Sequence, residues 1–166
     1  MKLNLGCGNK KIDGYVNVDV CGSPDVVCDL SQFPWPFDSN TADEISAFHF
    51  LEHALDYEKT VLEVYRILKP GGILHFRVPH FRSPFAQWHL HKYSFSVCTC
   101  RLLCAEIPYQ WGGKKLFDLK KLRINLTFTG RKIAAPLEWL ANINPMVWDL
   151  AGLPITELEC IAAKTM

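Results

Sequence analysis

The sequence lacks any long apolar stretch of the kind that crosses a membrane. Hydrophobic residues make up 49% of the 166 residues, but the most apolar late segment, residues 134–155, is interrupted by two acids, two asparagines and three prolines. The apolar run at the beginning ends at Gly6 without the cleavage pattern of a secretory signal. We therefore expect a protein without a membrane span, located in the cytoplasm.

Internal repeats and low-complexity tracts are also missing, and the length suits one domain, which we place at residues 1–166. The seven cysteines are an odd number without a secretory signal, which favours free thiols in a reducing compartment.

The sequence carries little net charge, +1, yet the charge is unevenly distributed. Residues 1–58 hold three lysines against ten acids (3 − 10 = −7), and residues 59–166 hold fifteen bases against seven acids (15 − 7 = +8). A basic region comprises Lys114, Lys115, Lys120, Lys121, Arg123, Arg131 and Lys132. A strongly basic overall charge and a known nucleic-acid motif are both lacking, so a nucleic-acid partner is disfavoured and an anionic small molecule stays open.

The order of predicted elements indicates an α/β protein. Strand patterns occupy residues 2–5, 15–20, 25–30, 42–48, 73–78, 119–129 and 157–163, and helical patterns occupy 54–68, 94–107 and 134–150, the last interrupted at Pro145. Strands that alternate with helices predict a mostly parallel sheet covered on both faces. Ligands bind such sheets beyond the carboxyl ends of the strands.

The first glycine motif, LNLGCGN at residues 3–9, lacks the third glycine of a dinucleotide-binding loop, because Lys11 occupies that position. Asp19 follows Gly8 by eleven residues, whereas a dinucleotide site places its acid about twenty residues on. A phosphate-binding Gly-Lys-Ser/Thr is also absent. A nicotinamide-dependent oxidoreductase is therefore disfavoured. The pattern suits a ligand without a pyrophosphate, approached by the backbone at Gly6 and held by a carboxylate on its ribose.

At this point the ordered motifs LNLGCGN, GYVNVD, CDL, FPWPFD, ADEI, LEH and EVYRILKPGG strongly resemble the class I S-adenosylmethionine-dependent methyltransferases, especially small members of the type 11 kind. The resemblance covers residues 3–78 well, and the terminal ELECIAAK more loosely. It implies a doubly wound, Rossmann-like, three-layer α/β/α fold with a seven-stranded, mostly parallel sheet and an antiparallel last strand.

Two departures from that family concern the N-terminal helices. The chain begins on the first strand, where the family usually has a preceding helix, and residues 9–14 are too short for the usual helix between the first two strands. We expect reduced N-terminal helices and a pocket completed by a later segment, a second copy of the chain or a partner subunit.

The resemblance implies S-adenosyl-L-methionine as the cofactor and assigns its contacts. The implied cofactor-binding residues are Gly6, Cys7, Gly8, Asp19, Val20, Asp29, Leu30, Phe48, His49 and Phe50. Asp19 corresponds to the acid that holds the ribose hydroxyls, and Asp29 to the acid beside the adenine. The acidic first part of the chain would also attract a cationic sulfonium.

Methyl transfer requires positioning, and a general base only where the nucleophile must lose a proton. His53 and His49 are the candidate catalytic bases, although His53 could equally orient a ligand. Residues 80–93 leave the fifth strand at the ligand edge, and we interpret them as a lid over a small-molecule substrate. Its candidate substrate-binding residues are His80, Arg82, His89, His91 and Tyr93.

Two alternatives remain. His89, His91, Cys98, Cys100 and Cys104 are potential zinc ligands, but their spacing differs from that of structural zinc sites, so buried thiols are favoured and no metal is predicted. A non-catalytic S-adenosylmethionine-binding module, acting as regulator or partner of another enzyme, is the alternative to a methyltransferase.

Overall fold

Seven strands form one sheet in a computed structural model, which describes residues 1–107, 111–126, 135–151 and 155–166. The strands are β1 (Lys2–Leu5), β2 (Val16–Asp19), β3 (Val26–Val27), β4 (Ala42–Phe48), β5 (Leu68–Pro79), β6 (Phe117–Asn125) and β7 (Glu157–Lys164). Their order is β3-β2-β1-β4-β5-β7-β6. The first five strands pair in parallel, and β7 runs antiparallel to both of its neighbours. The predicted mostly parallel sheet with an antiparallel last strand is confirmed.

Within the ranges that the structure describes, four α-helices accompany the sheet: α1 (Tyr57–Ile67), α2 (Val97–Leu102), α3 (Ala135–Ile143) and α4 (Pro145–Leu150). Single 3₁₀ turns occur at Leu51–His53 and Pro84–Gln87. Of the helices in the described ranges, none combines the length and apolar character that crossing a membrane requires.

One face of the sheet carries the main core. Leu3, Ile45, Leu74 and Ala162 are successive partners across four strands and are all buried. Buried side chains of α1, α2 and α3 join the same apolar cluster. The helices therefore stabilise the molecule mainly by covering this face.

The opposite face is polar over β1, β2 and β4 and is covered by a loop. Asn4 donates to the Lys10 carbonyl (3.1 Å) and to Oδ1 of Asn17 (2.8 Å), and Ile12 N–H donates to the same Asn17 oxygen (2.8 Å). Within residues 6–41, all of which are described, the structure contains no helix. The predicted absence of a helix between the first two strands is confirmed, and residues 9–15 form the layer over this part of the sheet.

Element boundaries differ from the sequence prediction for local reasons. α1 begins at Tyr57 because the Asp56 side chain caps it by accepting from Lys59 N–H (3.0 Å). α2 covers only Val97–Leu102, because Ser96 and Thr99 form a reciprocal capping box. β5 begins at Leu68, before the predicted start at residue 73, and its register with β4 shifts between the pairs Ala42–Leu68 and Glu44–Ile73. The end of the predicted strand 119–129, Arg131 and Lys132 lie outside the described residues.

Candidate active site

The glycine turn after β1 approaches its neighbours too closely for a side chain. Gly6 has φ +66°, and its N–H donates to the Val18 carbonyl (2.9 Å). A Cβ atom on Gly6 would lie 2.9 Å from Cδ2 of Phe50. Glycine is therefore required at position 6 both by the backbone conformation and by packing.

Asp19 ends β2 beside this turn, and its carboxylate is held by backbone donors. Oδ2 accepts from Gly8 N–H (2.7 Å), and Oδ1 accepts from Val20 N–H (2.6 Å) and Cys21 N–H (3.1 Å). Burial alone would raise the pKa of Asp19, but these hydrogen bonds outweigh it and lower the pKa. The carboxylate is ionised at neutral pH, and Oδ2 retains capacity for a further donor.

A cavity of about 360 Å³, which we name the Asp19 cavity, extends from this carboxylate. Predicted cofactor residues on its wall are Gly6, Asp19, Val20, Asp29, Leu30, His49 and Phe50. The Ser31 backbone and hydroxyl both donate to Oδ1 of Asp29, which lowers the Asp29 pKa and leaves Oδ2 available. The structure thus brings two ionised carboxylates to one cavity.

A second cavity, of about 400 Å³, lies at the other side of the glycine turn and is named the Lys10 cavity. It shares Gly6 and His49 with the Asp19 cavity, and Cys7 and Phe48 also line it. Lys10, Lys11 and Arg77 line its wall, with Lys11 paired to Asp25 and Arg77 to Glu159 (2.9 Å), and the Arg77 guanidinium lies 4.8 Å from the Phe48 ring centre. This lining suits a carboxylate-bearing ligand end.

A third cavity, of about 390 Å³, lies between the 3₁₀ turn Leu51–His53 and residues 80–93, and we name it the His91 cavity. Its wall includes His49, Glu52, His53, Ser83, Phe85, Trp88, His91 and Glu157. Lys92 N–H donates to the Glu52 carbonyl (2.7 Å) and holds the segment against the turn. Residues 80–93 therefore form part of the wall of this cavity.

His49 lines all three cavities. It adopts φ +56°, a conformation uncommon for a residue with a side chain. Its Nε2 lies 2.8 Å from Glu157 Oε2, and its Nδ1 lies 3.3 Å from Glu52 Oε1. The hydrogen bonds to Glu157 and Glu52 outweigh burial and raise the pKa of His49 to about 9. The imidazole is consequently cationic at neutral pH and donates to both carboxylates.

His53 stands at the boundary between the Asp19 and His91 cavities, since it lines both. Its ring centre lies 5.6 Å from that of Trp88 and 4.7 Å from that of His91, both edge-on. Its Nδ1 is 3.4 Å from the Leu90 carbonyl oxygen.

Of the five predicted substrate-binding residues, His91 lines the His91 cavity and the other four do not. His80 is fully buried, with Nε2 3.1 Å from Asp149 Oδ1, and Arg82 donates to the Asp149 carbonyl (2.6 Å). Tyr93 packs on Tyr57 with ring centres 5.3 Å apart, and His89 is exposed. The side chains of His80 and Arg82 both contact Asp149 on α4. The sequence alone did not indicate these contacts.

Glu52 and Glu157 are wall residues that sequence reasoning did not single out. Glu52 carried a signal as the middle residue of the LEH motif, whereas Glu157 on β7 carried none. Cys100 and Cys104 are buried, and burial raises the pKa of Cys104 to about 11. Cys98 is exposed, so these cysteines do not converge as one set of ligands.

Comparison with known proteins gave one matching family and several similar solved structures. Residues 14–76 match the family described as methyltransferase domain, type 11. No curated protein matches the sequence. Among solved structures, one similar chain comes from a complex between the Haloferax volcanii Trm112 methyltransferase activator and a candidate methyltransferase, with 18% identity, TM-score 0.64, and 99% of this chain and 82% of that chain covered.

Two further solved structures resemble the chain. The [4+2]-cyclase SpnF has 15% identity and TM-score 0.61, over 99% of this chain and 75% of that one. A SAM-dependent methyltransferase from Methanosarcina mazei has 17% identity and TM-score 0.55, over 99% and 92%. At such identities the similarity shows the fold. The chain has the fold of the class I S-adenosylmethionine-dependent methyltransferases, and its resemblance to that family is confirmed. The domain match and the similarity to the SAM-dependent methyltransferase from Methanosarcina mazei agree with S-adenosylmethionine as the expected cofactor.

Proposed function

We propose that this chain transfers a methyl group from S-adenosylmethionine to a small molecule held in the His91 cavity. The observation that carries the proposal is the position of His49 and His53, which line both the Asp19 cavity and the His91 cavity. Two ligands bound in these cavities would meet at the two histidines. A volume of about 390 Å³ suits a small-molecule acceptor.

The residues present fit the cofactor. Asp19 offers an ionised carboxylate with a free acceptor position to a ribose diol, and Asp29 offers Oδ2 to the adenine amino group. Lys10 and Arg77 supply cations for the amino-acid carboxylate in the Lys10 cavity. When bound, S-adenosylmethionine supplies an electrophilic methyl group, whose bond to sulfur breaks with its electron pair returning to sulfur as the acceptor bonds to carbon.

The raised pKa of His49 argues against a role as general base. His49 is held as an imidazolium by Glu157 and Glu52, and a protonated ring cannot accept a proton. We assign to His49 the positioning of those two carboxylates at the junction of the cavities. His53 is then the candidate base for an acceptor that must lose a proton, because its ring faces the His91 cavity.

Calorimetry and turnover test this function. The chain is expected to bind S-adenosylhomocysteine and not NAD, and to consume S-adenosylmethionine when mixtures of small nucleophiles are screened. Tight NAD binding without affinity for S-adenosylhomocysteine would overturn the assignment.

The second candidate is a cofactor-binding module that acts with a partner. It is suggested by the similarity to a chain from an activator complex and to a cyclase. Turnover is measured for the chain alone and with candidate partner proteins. Binding of S-adenosylhomocysteine without turnover in any combination supports the module.

A further inference from the structure

Three potential metal ligands converge on the wall of the His91 cavity. Glu52, His53 and His91 each offer one ligand atom, and these atoms lie within 4.8 Å of one another. They belong to two segments that are joined by the hydrogen bond from Lys92 N–H to the Glu52 carbonyl (2.7 Å). The convergence is therefore built into the backbone.

Two of these side chains carry buried atoms that lack a hydrogen-bond partner among the described residues, Oε2 of Glu52 and Nδ1 of His91. Glu52 is only 1% exposed. A buried carboxylate oxygen and a buried imidazole nitrogen without partners are unfavourable, and an ion bound between them would satisfy both.

One nitrogen of the His53 imidazole is held by the backbone. His53 Nδ1 lies 3.4 Å from the Leu90 carbonyl oxygen. Metal-binding histidines are typically held in this way, which fixes the ring so that the remaining nitrogen faces the ion. Oε1 of Glu52 is similarly held by His49 at 3.3 Å.

We propose that Glu52, His53 and His91 bind one divalent metal ion of the zinc class, with an open coordination position toward the His91 cavity. Two imidazoles and one carboxylate form a ligand set of catalytic zinc sites. Ligand distances of about 2.1 Å require neighbouring ligand atoms to be roughly 3–3.5 Å apart, so the side chains close by about 1 Å on binding.

A bound ion also restricts the methyl acceptor to one chemical class, an inference that rests on the proposed function. A hydroxyl group at the open position would release its proton to solvent more readily, because the ion stabilises the resulting oxygen anion. His53 then serves as a ligand, and the ion replaces it as the device that activates the acceptor. The acceptor is accordingly a small molecule with a hydroxyl or phenol oxygen.

Titration of the chelator-treated full chain with Zn²⁺ in a calorimeter, and with Co²⁺ by absorption, tests the site. One ion per chain is expected, and Co²⁺ should give weak visible bands without the strong near-ultraviolet band of thiolate ligands. Glu52→Gln and His91→Ala should each weaken binding at least about tenfold, as loss of one ligand implies. His89→Ala is the matched control, because His89 is an exposed neighbouring histidine outside the cluster, and it should bind like the wild type.

No ion bound by the wild type, unchanged affinity in both ligand variants, or a thiolate band would overturn the site. His91→Ala removes a half-buried side chain, so it keeps the test decisive if Glu52→Gln does not fold. S-adenosylhomocysteine binding is measured on the same samples. Metal binding without S-adenosylhomocysteine binding would sink the proposed function and leave the metal site standing, and the reverse result would sink the metal site alone.

Discussion

The Asp19 carboxylate has two structural roles, since it organises the loops around it and lines the Asp19 cavity. Gly8, Val20 and Cys21 all donate to it from the backbone. Asp19→Ala should weaken S-adenosylhomocysteine binding by about 10- to 100-fold, because a hydrogen bond to a charged group contributes roughly 1.5–3 kcal/mol. Calorimetry measures the change, and Asp13→Ala, in the connection after the glycine turn, is the control. Equal affinity in both variants would remove Asp19 from the site.

Substitution of Gly22 by alanine tests whether the loop after Asp19 must pack on the glycine turn. A Cβ atom on Gly22 would lie 2.3 Å from the Gly8 carbonyl oxygen, whereas one on Gly14 meets nothing within 4 Å. Both residues have positive φ, +79° and +80°. Gly14→Ala should cost only the backbone strain, about 1–2 kcal/mol of unfolding free energy.

Gly22→Ala should lose more stability than Gly14→Ala and should also bind S-adenosylhomocysteine more weakly, because the loop must move away from Gly8. Urea unfolding and calorimetry on the two variants provide the comparison. Matching losses in both variants would show that the close contact has no role.

At the scale of elements, Asp149 connects three segments. Its Oδ1 lies 3.1 Å from His80 Nε2, its Oδ2 accepts from Val97 N–H at the beginning of α2 (3.0 Å), and its carbonyl accepts from Arg82. Asp149→Ala leaves a buried imidazole and a buried N–H without partners. We expect a loss of about 2–6 kcal/mol in unfolding free energy, from roughly 1–3 kcal/mol for each of the two unsatisfied groups. A loss below that of an exposed control such as Asp13→Ala would contradict this role.

His80 makes the contribution of this junction to the unfolding free energy depend on pH. Burial outweighs the attraction of Asp149 and lowers the pKa of His80 from 6.5, with Arg82 acting in the same direction as burial. Below pH 6.5 the unfolded chain therefore binds more protons at His80 than the native state does. The contribution of the neutral, buried His80 to the unfolding free energy is complete above pH 6.5 and is lost as the pH falls below it.

The difference in unfolding free energy between the wild type and His80→Gln should consequently shrink as the pH falls from about 8 to about 5. Taking the difference removes the contributions of the other histidines, including His49, whose raised pKa acts with the opposite sign. A difference independent of pH would show that His80 titrates normally in the folded protein.

Elements governed by local signals could be predicted from the sequence. The apolar positions of α1 recur at helical spacing, and the helix ends before Lys69 and Pro70 as expected. α2 begins later than predicted, because its N-cap is Ser96. The burial of His80 could not be predicted, since its partner Asp149 lies on a helix far along the chain.

At the scale of the whole molecule, the two carboxylates of the Asp19 cavity belong to the acidic first part of the chain. S-adenosylmethionine is cationic at sulfur, whereas S-adenosylhomocysteine is not. Raising NaCl from about 20 to about 500 mM should therefore weaken binding of S-adenosylmethionine by several-fold more than binding of S-adenosylhomocysteine. Calorimetry at the two salt concentrations measures this, and an identical salt response for both ligands would show that the charge distribution has no effect.

The glycine turn and Asp19 could be identified from one short stretch, because their roles depend on backbone conformation and strand order. The His91 cavity could not, because it forms only when residues 80–93 fold onto the turn Leu51–His53 and β7 adds Glu157. Contacts between distant segments determine this part of the site. Pattern and spacing reveal the ligand edge of the sheet, and tertiary structure determines which side chains meet there.

The loop at residues 9–15 has a kinetic consequence. Where a helix covers a cofactor, release of the spent molecule requires a packed element to detach from the sheet. Here the Lys10 cavity is bounded by a loop that is held to β1 and β2 mainly through Asn4 and Asn17. Small loop displacements should suffice for exchange, so we expect a short residence time for the spent cofactor and a turnover rate set by the acceptor step.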